Sequence, residues 1–375
     1  MNEEIFKRSI NDMKYFDTYT SNSIAGSSNQ HIFHSEKDKI HRGRIYYKIF
    51  AGGTYHYSLL FSNIIDSTFA DGSVSHCNLL CDEWEILEAS LGVCKNSSMD
   101  VAEEPGDVAT MTFGGNVRKT VMPGEFFATD PVEIFAEKGD FLCMDITFRG
   151  TMMPYHEETM LPTFVMEEGK WIPCKHIPFA SMIGCDRKVE KRVGFFGDSI
   201  TQGLGTPNNK YTHWNALVAD VIGEKYSYWN LGIGYGRGAD AASDGAWLFK
   251  AKQMDAVVVC FGTNDVGFDH EVEKIKKDLQ TIVVKLKEAG VKVLLQTLPP
   301  FDRKGEKLEK WLEVNRFVRE ELAVEADAFF DVVPFLIDGS EQEGKSKFNG
   351  HPNERGCALW AQELLPVLEK FLEGA

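Results

Sequence analysis

The run Val193-Gly194-Phe195-Phe196-Gly197-Asp198-Ser199-Ile200-Thr201-Gln202-Gly203 decides how the second half of the chain folds. Its apolar start predicts a buried strand ending near Phe196, and its glycine-flanked polar end predicts a turn that opens a helix. A hydroxyl at such a turn can meet a substrate, while the amides of the first helical turn offer N–H donors to an anion. Ser199 is therefore the candidate nucleophile. Glycine, aspartate and serine also build ordinary strand-to-helix turns, so the reading depends on partners elsewhere in the chain. Asp198 is read as a turn-stabilising residue without a catalytic role.

Beyond this turn, apolar runs alternate with helical patterns. Strands are expected over 193–196, 227–231, 256–261, 291–297 and 328–331, and helices around 213–222, 239–250, 271–288, 307–324 and 354–372. Five apolar strands alternating with helices predict a parallel sheet covered on both faces, whose ligands bind at the carboxyl ends of the strands. Ser199 falls at one such end and Gly262-Thr263-Asn264-Asp265 at another. The first half reads differently. Short β-branched and aromatic runs (45–50, 55–61, 84–91, 109–113, 132–135 and 141–148) are separated by Gly52-Gly53, Asp71-Gly72, Gly114-Gly115, Pro123-Gly124 and Gly139-Asp140, the pattern of a β-sandwich. A charged run from Asp186 to Arg192 separates the two patterns, giving an expected sandwich domain over 1–187 and an α/β domain over 188–375.

A chain of 375 residues with 43% hydrophobic content is long enough for two cores. Its formal net charge of −16 argues against nucleic acid or an anionic membrane surface as a partner and favours a neutral small-molecule or oligosaccharide substrate. Met1-Asn2-Glu3-Glu4 lacks the basic and apolar segments of a leader, so a cytoplasmic location is expected. The eight cysteines are scattered, without a Cys-x-x-Cys pair, and read as reduced and mostly buried. His76, Cys77 and Cys81 make only part of a metal-ligand set, and His31, His34 and His41 read as an exposed polar segment. Neither a metal nor a cofactor is expected.

Ester cleavage by serine requires a base for the hydroxyl proton and donors for the oxyanion. His351, just before the last helix, is the candidate base, and the Asn264 amide is a candidate donor. The loop Asn230-Leu231-Gly232-Ile233-Gly234-Tyr235-Gly236 can turn a backbone N–H inward.

In order and spacing, four blocks resemble the SGNH, or GDSL-type, hydrolase superfamily: Gly197-Asp198-Ser199 with Thr201 and Gly203, Asn230-Leu231-Gly232, Gly262-Thr263-Asn264-Asp265, and His351-Pro352. The resemblance implies a flavodoxin-like three-layer α/β/α domain. It implies Ser199 as nucleophile, His351 as general base, and the Ser199 amide and Asn264 side chain as oxyanion donors. Residues from about 45 to 150, with Thr112-Phe113-Gly114-Gly115, Pro123-Gly124 and Asp130-Pro131-Val132, resemble the jelly-roll-like sandwich that precedes this domain in some carbohydrate esterases.

Two positions depart from that pattern. Phe348 stands where the family usually has the triad aspartate. A Ser–His dyad is then expected, with the imidazole held by a carbonyl in 347–349, or by Glu354 as the rival. Tyr235 stands where the family usually has its oxyanion glycine, so the donor is one of Gly234, Tyr235 and Gly236, with Gly236 the preferred choice after a shift of one residue. Asn208, Asn209 and Tyr211 are candidate pocket-wall residues. The expected function is a serine esterase acting on small acyl esters, acetyl above all, of a carbohydrate. A lipase or lysophospholipase, and a non-catalytic glycan-binding protein on the same fold, are the alternatives.

Overall fold

The computed structural model describes residues 14–69, 75–157, 160–178 and 181–374. Met1 to Glu4 and the side chain of His76 lie outside the described residues. The chain is mixed α/β and divides into two compact units, Met1–Val189 and Glu190–Ala375.

The first unit is extensively β. One antiparallel sheet runs Thr20–Ser21, Met182–Cys185, Gly53–Ser62, Phe126–Ala128, with Val132–Ala136 also paired to Gly53–Ser62. A second, also antiparallel, runs Lys170–Pro173, Thr163–Glu167, His41–Lys48, Phe141–Gly150, Trp84–Cys94, Gly106–Thr110, with Lys119–Val121 on Trp84–Cys94. Trp84 and Ile86 face inward, and after the register shift opposite Thr147 and Phe148, which skips Leu87, so do Ala89 and Leu91. There Trp84 packs edge-on to Phe127 and Phe148, and its indole N–H donates to Asn63 Oδ1 at 3.0 Å. Arg44 and Asp145, directly opposite on neighbouring strands, form a buried bidentate pair at 2.6 and 2.8 Å, with the Trp171 ring 4.5 Å from the guanidinium. The hairpin Ile64–Phe69 and Ser75–Leu80 pairs with itself. All eight thiols are free, and six are buried.

In the second unit we label the strands β1 (Lys191–Gly197), β2 (Tyr226–Asn230), β3 (Ala256–Cys260), β4 (Lys292–Gln296) and β5 (Ala328–Phe330). They pair in the order β2-β1-β3-β4-β5, all parallel. The helices are α1 (Ser199–Gln202), α2 (Trp214–Ile222), α3 (Gly238–Ala241), α4 (Ala246–Ala251), α5 (Thr263–Gly267), α6 (Val272–Glu288), α7 (Glu306–Glu320), α8 (Val333–Leu336) and α9 (Glu354–Gly374). Every residue of β2 and β3 is buried, as in a sheet covered on both faces. Helix α6 buries Ile275, Leu279, Ile282, Val283 and Leu286, one apolar stripe at helical spacing.

The single helix expected over 239–250 is two, α3 and α4. Ser243, Asp244 and Gly245 interrupt it, with the Ser243 amide turning back to the Asp240 carbonyl at 3.2 Å and Gly245 starting α4 in an extended conformation. Helix α9 is fixed by Trp360, which stacks on Trp214 of α2 at 4.9 Å and donates its indole N–H to Gln296 of β4 at 2.8 Å. That anchor places the loop before α9 beside the strand ends.

Candidate active site

Ser199 opens α1 at the end of β1, so its amide has no carbonyl four residues back and remains an available donor. Asp198 caps the helix by accepting the Ile200 N–H at 3.0 Å. The turn is close-packed. A β-carbon on Gly197 would lie 2.7 Å from the Cys260 carbonyl oxygen, and Gly203 ends the helix at φ 119°, a left-handed conformation.

The side chain of Ser199 is buried and its Oγ lies 2.8 Å from His351 Nε2. The hydroxyl donates to the ring when the imidazole carries its proton on Nδ1. Burial lowers the His351 pKa from its ordinary value, which keeps the ring neutral and able to accept. A glycine makes this approach possible. At Gly205, with φ 99°, a β-carbon would stand 2.7 Å from the His351 carbonyl oxygen and 2.8 Å from that of Pro352.

Neither expected orienter of the imidazole makes its contact. Among the described residues no carboxylate lies within 4.0 Å of the ring, so Glu354 is not its partner. Nor does a carbonyl of 347–349 take its N–H: that of Phe348 accepts the Asn353 amide at 3.0 Å, and that of Asn349 accepts the Ser346 hydroxyl. Phe348 itself packs at the start of α9, where its Cβ would be 2.7 Å from a side chain on Gly356. The ring contact of His351 is with Phe301, at 5.1 Å between centroids and 76° between planes.

Asn264 lies in α5, after β3, and its Nδ2 donates to the Gly236 carbonyl at 2.9 Å. An amide nitrogen has two hydrogens, so one remains for another acceptor. The preference for Gly236 as the oxyanion donor needs correction. Its N–H closes a turn onto the Ile233 carbonyl at 3.1 Å, and its carbonyl anchors Asn264. Gly236 thus positions the asparagine. The neighbouring Tyr235 sits at φ 59°, the left-handed conformation that glycine adopts most easily. Of the suggested pocket-wall residues, Asn208 is exposed, Asn209 is half-buried and Tyr211 is buried.

Two buried acids lie behind the turn. Asp265 accepts the Gly238 N–H at 2.9 Å and lies 3.3 Å from His270 Nδ1. Burial, with the charge of Asp265 adding to it, pushes the Asp198 carboxyl up to about 7 against the opposing Ile200 hydrogen bond. Gly205, Phe301 and Arg303 were missed from the sequence. The Gly203-x-Gly205 spacing was a usable sign for the first, whereas nothing local marks the other two.

A serine hydroxyl against a histidine ring at the carboxyl end of a parallel strand is an arrangement suited to ester hydrolysis, and the match of the surrounding sequence to an acylhydrolase family places the protein among the carboxylic ester hydrolases. The family follows from the sequence itself: residues 195–359 match the GDSL-like lipase/acylhydrolase family, and the second unit carries that family's domain. No curated protein matches the chain. Solved structures that resemble it include a member of the lipolytic protein G-D-S-L family from Veillonella parvula DSM 2008, with 20% identity, TM-score 0.39, and coverage of 48% of this chain and 98% of that one. The acetyl xylan esterase AlAXEase has 25% identity, TM-score 0.38, and coverage of 47% and 98%. The acetylxylan esterase Axe2 from Geobacillus stearothermophilus has 18% identity, TM-score 0.39, and coverage of 48% and 95%.

Proposed function

We propose that the protein is a serine esterase that removes small acyl groups, acetyl above all, from a carbohydrate through an acyl-Ser199 intermediate. The observation that carries this reading is the 2.8 Å contact between Ser199 Oγ and His351 Nε2 at the end of a parallel strand. Oγ attacks the ester carbonyl carbon and its proton passes to Nε2. The carbonyl oxygen becomes an oxyanion facing the Ser199 amide and the second hydrogen of Asn264 Nδ2, with the Tyr235 amide as a third donor. Collapse expels the sugar hydroxyl, which takes the proton from His351. A water molecule then repeats the cycle on the acyl-enzyme and frees the acid.

Two exposed aromatic rings favour a sugar as the alcohol: Tyr235, 52% exposed, next to the Gly236 whose carbonyl holds Asn264, and Phe268, 42% exposed, just after α5. Flat apolar faces of this kind suit the C–H faces of a pyranose. A phospholipid interface suits the chain less, given its charge of −16. The strand order supports reading the second unit as a flavodoxin-like three-layer α/β/α domain. We read the first as a jelly-roll-like sandwich and place the domain boundary near residue 187. Eight free thiols suit a reducing, cytoplasmic setting.

Hydrolysis of p-nitrophenyl acetate tests the chemistry, and a panel of acetylated saccharides against long-chain acyl esters tests the substrate. S199A is expected to abolish turnover, and acetylated saccharides are expected to outrank long-chain esters. Equal background hydrolysis in S199A and wild type would sink the esterase reading and favour the glycan-binding alternative.

A further inference from the structure

The proposed dyad leaves its imidazole without the carboxylate that position 348 supplies in the family pattern. We infer that the consecutive residues Phe301, Asp302 and Arg303, in the loop between β4 and α7, form a clamp that positions His351 in its place. This inference rests on the Ser199–His351 reading above.

Each residue of the clamp reaches a different part of the site. Phe301 meets the His351 ring edge to face, with centroids 5.1 Å apart. Asp302 Oδ1 accepts the Ser346 N–H at 2.8 Å, which ties the loop to the segment that delivers His351. Arg303 Nη2 donates to the Thr263 carbonyl at 2.8 Å, one residue before Asn264, and its guanidinium covers the Phe301 ring at 4.7 Å from the centroid. Asp302 at φ 53° takes the backbone through the left-handed region between the two flanking side chains.

The surroundings leave the clamp little freedom. A β-carbon on Gly350, the residue before the histidine, would lie 3.1 Å from carbons of the Phe301 ring, and one on Gly267 would lie 3.0 Å from Arg303 Nη2. Upstream, the Leu298 amide is fixed to Asn315 Oδ1 at 2.8 Å. Burial lowers the Arg303 pKa from its ordinary value, and the charge of Asp198, when ionised, acts in the opposite direction. Base and oxyanion donor are therefore held by one three-residue unit.

An aromatic contact restrains the plane of the imidazole but takes no proton from Nδ1. The clamp should therefore act on kcat through geometry, with little effect on KM. Phe301 also shields the ring from water, so its removal should bring the His351 pKa back up toward its ordinary value.

The test compares wild type with F301Y, F301L, F301A, D302N and D302A, measuring kcat and KM for p-nitrophenyl acetate across pH, thermal melting, and His351 ring-proton NMR titration. S199A and H351A serve as controls. F301Y is expected to stay within about threefold of wild type, because it keeps the aromatic edge. F301L and F301A should lose roughly 10- to 100-fold in kcat at nearly constant KM. In F301A the His351 titration and the acid limb should move up together. D302N keeps the acceptor and should retain activity, while D302A should lose it. Asp302 is exposed, so this pair reports even if the Phe301 variants do not fold.

Equal kcat in F301L and F301Y, or wild-type kcat in D302A, would overturn the clamp. Losses that only track melting temperature, with an unmoved His351 titration, would overturn it too. Full activity in S199A would instead sink the catalytic reading, and the NMR titration would still decide whether Phe301 positions the ring.

Discussion

Burial moves His351 and Asp198 in opposite directions, because it penalises the charged form of each. For His351 the neutral ring persists to lower pH, so the acid limb of kcat/KM is expected below the ordinary histidine value of about 6.5. A pH profile on p-nitrophenyl acetate with its limb at or above that value would contradict the assignment. For Asp198 the consequence is in stability. Its folded pKa of about 7 exceeds the ordinary 3.8, so the folded state holds the proton more tightly than the unfolded one. Its contribution is complete below about pH 4 and is lost as pH rises toward 7, on the order of 4 kcal/mol. His351, with its lowered pKa, acts in the opposite sense: its contribution is present above about 6.5 and is lost as pH falls through the folded pKa. D198N keeps an acceptor for the Ile200 amide but removes the titration. Melting curves at pH 4, 5.5, 7 and 8 should show a shallower decline across that window in D198N than in wild type. Equal slopes would show that Asp198 is not the group responsible. At Asn264 the expected effect is on rate: N264A should lower kcat by about 10² to 10³, the range for loss of one oxyanion donor, as measured on the same ester.

The elements that carry the site are short, and their junctions depend on glycines. At Gly205, left-handed backbone coincides with the approach of the His351 and Pro352 carbonyls at 2.7 and 2.8 Å. G205A must therefore adopt an unfavourable φ and push the base away from Ser199. Backbone strain alone costs about 1–2 kcal/mol, and a displacement approaching 1 Å can cost about 100-fold in rate. The expected result is a fall in kcat larger than the loss in melting temperature explains, and a stability loss with kcat intact would refute it. These junctions also show which parts of the site could be read in advance. Ser199 and Asn264 follow apolar runs and His351 precedes the last helix, and it is the order of the family-like blocks, more than any one local pattern, that marks them as candidates. Gly236 was misjudged because counting along a glycine-rich loop cannot reveal that its N–H is used by Ile233. Phe301 and Arg303 have no local signature, since their roles arise from contacts across β4, α5 and the loop before α9. In α3 and α4, apolar periodicity concealed the break that Ser243, Asp244 and Gly245 impose.

Across the whole chain, strands with strong alternation or continuous burial were legible. Edge pieces of two or three residues, such as Thr20–Ser21 and Lys119–Val121, were not, because a run that short carries no period. Each unit nevertheless has its own core. Tyr46, Tyr47, Tyr57, Tyr155, Phe61, Phe148 and Phe164 are fully buried in the first, and Trp214, Trp229, Trp247, Trp311 and Trp360 in the second. Five of the seven tryptophans thus belong to Glu190–Ala375. Tryptophan fluorescence should follow mainly the melting of the hydrolase unit, while far-ultraviolet circular dichroism near 217 nm weights the β-rich unit, so the two probes should give separate midpoints. Ser199, His351, Asn264 and the clamp all come from the second unit. Residues 190–375 expressed alone are therefore expected to fold and to hydrolyse p-nitrophenyl acetate with kcat within about tenfold of the full chain, the range in which small adjustments of geometry act. A folded 190–375 fragment, verified by its fluorescence transition, that fails on the simple ester would show that the catalytic machinery is not confined to the parallel-sheet unit.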